Sequence, residues 1–256
     1  MAIVISFAIQ KGGVGKTTSS SITGYLLSQD ARVLCCDFDS QGNMTYLLTQ
    51  QNIYNFTDKT ILQAVKEKDP RPYIHKITDN LHILTAEDFL STLPRYIYRE
   101  YKGNPNTLLK ETIDVVKDEY DYIIIDCPPN LGDHTINAMT ASDYCVVMLQ
   151  TEPFCFDALE RFLEFLQGVK DNTNPHIQLA GILSSMLDTR ATLDSTILDK
   201  ARSDYEDIVF NSIIKRRSRI KEFSIEGIKN STKKDLDALG PYINFVEELK
   251  TRVKKG

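Results

Sequence analysis

Residues 9–18 read Ile9-Gln10-Lys11-Gly12-Gly13-Val14-Gly15-Lys16-Thr17-Thr18, directly after an apolar run at 3–9 and directly before a helical pattern at 17–29. A glycine-rich turn between strand and helix lets backbone N–H groups converge on a phosphate, and the helix N-terminus adds partial positive charge. Gly12, Gly13, Val14 and Gly15 supply that cradle. Lys16 then reaches the outer phosphates of a nucleotide, the Thr17 hydroxyl is placed to ligate Mg2+, and Thr18 offers a further donor. The ordinary spacing G-x-x-x-x-G-K-[ST] calls for glycine at position 10, which is Gln10. A second lysine, Lys11, stands five residues before Lys16 instead.

Working outward, the runs at 32–37, Tyr122–Asp126 and 144–149 are nearly continuous in apolar residues, as strands covered on both faces are. Weaker strands are expected at 81–85, 179–185 and 207–210. Helical patterns fall between them at 106–118, 136–141, 156–171 and 193–204. In the third, Leu159, Phe162, Leu163, Leu166 and Val169 mark one helical face. This alternation predicts an α/β fold, a doubly wound and mostly parallel sheet flanked by helices, with ligands at the carboxyl ends of the strands. No linker or repeat interrupts it, so a single domain over 1–256 is expected. Residues 50–72 and 95–105 read as surface helices and loops. Pro241, followed by Ile243, Val246, Leu249 and Val253 on one face, predicts a final amphipathic helix over 241–255.

At 256 residues, with 42% hydrophobic and 25% charged residues, the chain can bury one sizeable core. Its formal net charge of −5 excludes a blanket attraction for nucleic acid, so any such binding needs a local patch. Five cysteines lie in or beside apolar runs with no CxxC pair, which reads as buried thiols in a reducing compartment. The N-terminus lacks a basic leader, and no apolar run approaches the ~18 residues of a membrane span. A cytoplasmic location is expected. The four histidines are scattered, and no nucleophile–histidine–carboxylate arrangement is evident.

Two acidic segments sit where a phosphate loop needs them. Asp37-Phe38-Asp39-Ser40-Gln41-Gly42-Asn43 follows the second strong strand. Asp126 ends an apolar strand and leads into Cys127-Pro128-Pro129-Asn130-Leu131-Gly132. Carboxylates at such strand ends hold a metal's waters or orient an attacking water.

Together these segments resemble the ParA/MinD family. Lys11 to Thr18 resemble its deviant Walker A motif, K-G-G-x-G-K-[ST]-[ST]. Residues 37–43 are similar to its D-x-D-P-Q-G-N segment, with Ser40 in place of proline, and 126–132 to its D-x-P-P-x-L-G segment. The resemblance runs from Ile3 to about Gly227. It implies ATP and Mg2+ as cofactors and ATP hydrolysis as the reaction. Asp126 would bind Mg2+ through a water, Asp39 would position the attacking water, and Asp37 would support it. Lys11 would reach across a homodimer to the partner's nucleotide.

Within the family the chain resembles the DNA-partition branch. Residues 186–193 resemble M-x-D-x-R-x-x-L, whose arginine, Arg190 here, contacts DNA in that branch. Residues 213–221 resemble I-P-R-N-x-R-L-x-E-A and carry Lys215, Arg216, Arg217, Arg219 and Lys221 with no acidic residue between 211 and 221. Such a cluster neutralises phosphates without reading bases. The resemblance thus implies non-specific DNA binding, nucleoid association, and a centromere-binding ParB-like adaptor that stimulates hydrolysis. Lys215 replaces the usual proline and Arg217 the usual asparagine, so no adenine contact is assigned. The alternative is a MinD-like, membrane-cycling regulator. The amphipathic tail ends in Lys250, Arg252, Lys254 and Lys255, but Glu247 and Glu248 favour a packed helix.

Overall fold

The computed structural model describes residues 1–152, 155–187 and 192–253. β1 (Ile3–Ala8) turns through the glycine loop into α1 (Lys16–Leu27), and the chain returns in β2 (Val33–Asp37). Then come α2 (Asn43–Thr49), α3 (Ile61–Glu67), β3 (Ile74–Lys76), β4 (Leu81–Leu84), α4 (Leu93–Arg99) and α5 (Leu108–Asp114). β5 (Tyr122–Asp126), α6 (Asp133–Ala141), β6 (Tyr144–Gln150), α7 (Cys155–Asn172) and β7 (Gln178–Leu187) follow. The chain continues through α8 (Thr192–Tyr205), β8 (Val209–Lys215), α9 (Ser218–Glu226) and α10 (Lys233–Arg252).

The strands form one sheet in the order β3-β4-β2-β5-β1-β6-β7-β8. Among the described residues only the β3–β4 pair is antiparallel, at the edge. β1 is buried along its whole length, between β5 and β6. The chain leaves β1 first toward β2 and later fills the other side with β6, so the loop after β1 opens at a switch point. That is where an α/β sheet presents its crevice.

α1 lies close against β2. An added Cβ at Gly24 would stand 2.4 Å from the Cys35 sulfur, which is fully buried. Gly24→Val therefore overpacks this contact. The expected cost is about 1–3 kcal/mol, read as a lower urea midpoint at unchanged slope.

The final helix departs from the sequence reading. It begins at Lys233, where Thr232 and Asp235 form a capping box, and runs through Pro241 rather than starting there. The proline leaves the carbonyl of residue 237 without its helical donor, and Asp237 is exposed, so water can take that place. Of the predicted apolar face, Val246, Leu249 and Val253 pack inward, whereas Ile243 is exposed. Tyr242, Phe245, Val246, Leu249 and Val253 are buried, and the Phe245 ring meets Phe210 at 4.8 Å. Arg252 donates to the carbonyls of Ala180, Ile208 and Val209 and pairs with Glu248. No helix among the described residues is long and apolar enough to cross a membrane.

The weak strand expected at 207–210 is β8, Val209–Lys215. All five cysteines are buried and unbridged.

Candidate functional site

The glycine loop is shaped for a ligand. Gly13 and Gly15 adopt φ of 75° and 79°, which L side chains rarely take. Added Cβ atoms at Gly12 and Gly13 would meet nothing within 4 Å, so open space lies over the loop. Gly15 caps α1 with no side-chain hydrogen bond, leaving the first-turn N–H groups and the helix dipole for an anion. Val14 is buried, and its carbonyl accepts from Ser185 Oγ at 2.5 Å, which fixes the loop against β7.

Lys16 is buried at the mouth of α1, and its Nζ donates to the Lys11 carbonyl at 2.9 Å. Burial lowers its pKa, opposed first by the charge of Asp126. Asp126, at the carboxyl end of β5, accepts from Thr17 Oγ1 at 2.7 Å and Ser20 Oγ at 2.9 Å. Burial pushes this carboxyl up to about 6, against those hydrogen bonds and the Lys16 charge. A hydroxyl and a carboxylate in contact are the oxygen donors a hard cation takes, so Thr17 and Asp126 suit Mg2+. Bound there, the ion would supply positive charge to a triphosphate.

Asp37 pairs with Asp126 in the sheet register. Burial and the neighbouring Asp126 push it up to about 8, although Thr45 N and Oγ1 each donate to it at 2.7 Å. It is a braced interior group. Asp39, two residues on, lines the cleft with Gly12, Gly13, Lys16, Thr17 and Thr18. Its Oδ1 accepts from Gln41 N at 3.1 Å. The structure thus brings Lys16, Thr17, Thr18 and Asp39 around one opening, with Asp126 buried behind Thr17.

Lys11 is ion-paired at the rim of the loop. Its Nζ donates to Glu152 Oε2 at 2.8 Å.

The basic stretch divides into two kinds of residue. Lys215, Arg217 and Lys221 are exposed, with no ion pair among the described residues. Lys233, at the start of α10, behaves likewise and shares a surface cleft with Arg217. Arg216 is exposed, 3.9 Å from Glu152. Arg219 differs, for its guanidinium is held by carboxylates of its own chain. Its Nε donates to Asp235 at 2.6 Å, and one terminal nitrogen to Glu222 at 2.8 Å and Glu226 at 3.0 Å. The guanidinium also lies over the Phe223 ring. Glu222 and Glu226 lie on α9 with Arg219, and the bond to Asp235 ties α9 to α10. Burial pushes Asp235 up, but hydrogen bonds from Thr232 and Arg219 outweigh it and bring the carboxyl down to about 2. Removing the arginine leaves a buried side chain without its countercharge. Arg219→Ala is expected to lower the melting temperature, whereas Arg217→Ala leaves it in place. Scanning calorimetry of both variants checks this. Arg190 lies outside the described residues.

Sequence reasoning missed Ser20, Thr45, Glu152 and Lys233. Ser20 follows Thr17 by one helical turn, a spacing that was available as a signal. Lys233 lies beyond the basic run and joins it only through the packing of α10.

A family model described as an AAA domain matches residues 2–179. The sporulation initiation inhibitor protein Soj of Bacillus subtilis (strain 168) is 34% identical over 240 residues, covering 89% of each chain. A solved structure titled as the cobyrinic acid a,c-diamide synthase of Mycobacterium smegmatis, with bound ADP and magnesium, is 26% identical with a TM-score of 0.79. That likeness covers 96% of this chain and 93% of the other. A putative plasmid partition protein from Borrelia burgdorferi B31, bound to AMPPNP, is 23% identical with a TM-score of 0.85, which bears on the fold alone. It covers 98% of this chain and 99% of that one.

Proposed function

We propose that this chain, which belongs to the Soj/ParA family of P-loop ATPases, is a Mg2+-dependent partition ATPase whose ATP-bound form pairs as a sandwich dimer and binds DNA without reading its sequence. The observation that carries the reading is the convergence of Lys16, Thr17, Asp39 and Asp126 on one open glycine loop. Lys16 and the loop amides bind the phosphates, Thr17 and Asp126 hold Mg2+, and Asp39 orients the attacking water. Lys11 reaches the partner's nucleotide once the dimer forms. A centromere-binding, ParB-like adaptor speeds hydrolysis and releases the ATPase from the nucleoid.

DNA binding is assigned to Lys215, Arg216, Arg217 and Lys221, with Lys233 beside them. Exposed cations release phosphate counterions on binding, and this gives salt-sensitive affinity. The double substitution Arg217→Ala/Lys221→Ala is expected to weaken binding to a non-specific duplex. The log–log salt slope should fall by about 0.9 for each phosphate that is no longer neutralised. Filter binding or anisotropy across a salt series measures this, and an unchanged slope would remove both residues from the interface.

A membrane-cycling role draws no support from α10, whose apolar face is buried in the core. The likeness to a protein titled as a diamide synthase favours a second reading, amide formation driven by ATP. ATP turnover that requires a small carboxylate acceptor and an ammonia donor, with no effect of DNA or adaptor, would select it.

A further inference from the structure

Glu152 sits just beyond the carboxyl end of β6, and three segments distant in sequence meet at its carboxylate. Oε2 accepts from Lys11 Nζ at 2.8 Å, so the glycine loop supplies the first partner. Oε1 accepts from Gln150 Nε2 and stands 3.9 Å from Arg216 in the turn after β8. The Lys11 side chain is 30% exposed and that of Glu152 is 44% exposed. A pair this wet holds a side chain in place without locking it, and it breaks at small cost.

The Lys11 amine has no other hydrogen bond or ion pair among the described residues. The amine that would serve a second protomer's nucleotide is instead neutralised at home. To reach outward it must first leave Glu152, and a symmetric dimer breaks two such pairs.

We propose that Glu152 is an intramolecular restraint on Lys11, holding the lysine on its own protomer and opposing dimer formation until a nucleotide-loaded partner takes the lysine over. The restraint rests on the sandwich-dimer reading above. It makes Glu152 a positioning residue that sets how readily ATP converts monomer to dimer, with no direct part in hydrolysis. Because Glu152 also faces Arg216, DNA affinity would mix two effects, and the test omits DNA.

Two measurements on the full-length chain separate the possibilities. The first follows acylation of Lys11 by an amine-reactive ester in the nucleotide-free protein, read by peptide mass spectrometry. Glu152→Gln is expected to raise the Lys11 rate severalfold relative to other exposed lysines, with Glu152→Asp between. The second is the ATP-dependent monomer–dimer equilibrium by sedimentation, with Mg2+ and a non-hydrolysable ATP analogue. An exposed pair restrains by at most about fivefold per protomer, so Glu152→Gln should tighten the dimer by roughly tenfold, less at high salt. Unchanged Lys11 reactivity, or a dimer that is equal or weaker in Glu152→Gln, overturns the restraint while the family reading stands. Wild type and variant that both stay monomeric with the nucleotide overturn the dimer reading and the restraint with it. In that case the acylation result alone reports whether the pair exists.

Discussion

Lys16→Ala lowers ATP turnover by about 10²–10³-fold, the usual loss when one preorganised charge is removed from a developing negative charge. The size follows from where the ammonium sits. Lys16 is buried at the N-terminus of α1, beside the loop amides and within the field of Asp126 and Asp39. Burial already disfavours its charge, so the fold retains a desolvated cation for which two acidic neighbours give only partial compensation. A triphosphate completes that compensation, and in the transition state the ammonium faces the negative charge spread over the transferred group and its leaving oxygen. Nucleotide binding should weaken as well, because the same ammonium meets the ground-state phosphates. Phosphate release at saturating ATP and calorimetric ATP titration separate the two effects. Turnover within about tenfold of wild type would mean that Lys16 is not the phosphate lysine.

Asp39→Ala separates binding from hydrolysis. Positioning and proton-accepting groups contribute about 10²–10⁴-fold, so turnover should fall by that order. Asp39 lines the cleft but makes none of the contacts that shape the glycine loop; its described bonds go to the backbone of its own turn. ATP affinity is therefore expected to hold, and the ATP-bound state to accumulate. Asp37→Ala should behave differently, since it strips Thr45 of the acceptor for both its backbone and hydroxyl donors. That variant should lose stability together with activity. An Asp39→Ala protein that hydrolyses ATP at the wild-type rate would move the water-positioning role to another group.

The centre of the sheet was legible because its signals are local. A strand that is apolar throughout, a glycine turn and a helix start leave one arrangement, and β1, β2, β5 and β6 lie within a residue or two of the runs that predicted them. The contact between Thr17 and Asp126 was legible for a different reason: both stand at element ends that a parallel sheet brings together. What could not be read was the choice of partner between side chains. Arg219 and Arg217 look alike in a basic run, yet Arg219 meets three carboxylates and Arg217 none among the described residues; Glu222 and Glu226 follow on its own helix, but the buried Asp235 reaches it only through the seating of α9 on α10. Lys11 carries the same lesson, because Glu152 is brought to it by the sheet from 141 residues away. The misplaced start of α10 was avoidable. Thr232 with Asp235 three residues on is a capping pattern, and it outweighs a proline that a long, well-packed helix tolerates.

The central claim is that ATP converts this chain into a DNA-binding dimer, and the most direct test is binding of the wild-type protein to a non-specific duplex with Mg-ATP, Mg-ADP or no nucleotide. The prediction is binding with ATP alone, weakening steeply between low and physiological salt and absent in Lys16→Ala. Equal binding in all three nucleotide states, or none in any, would contradict it.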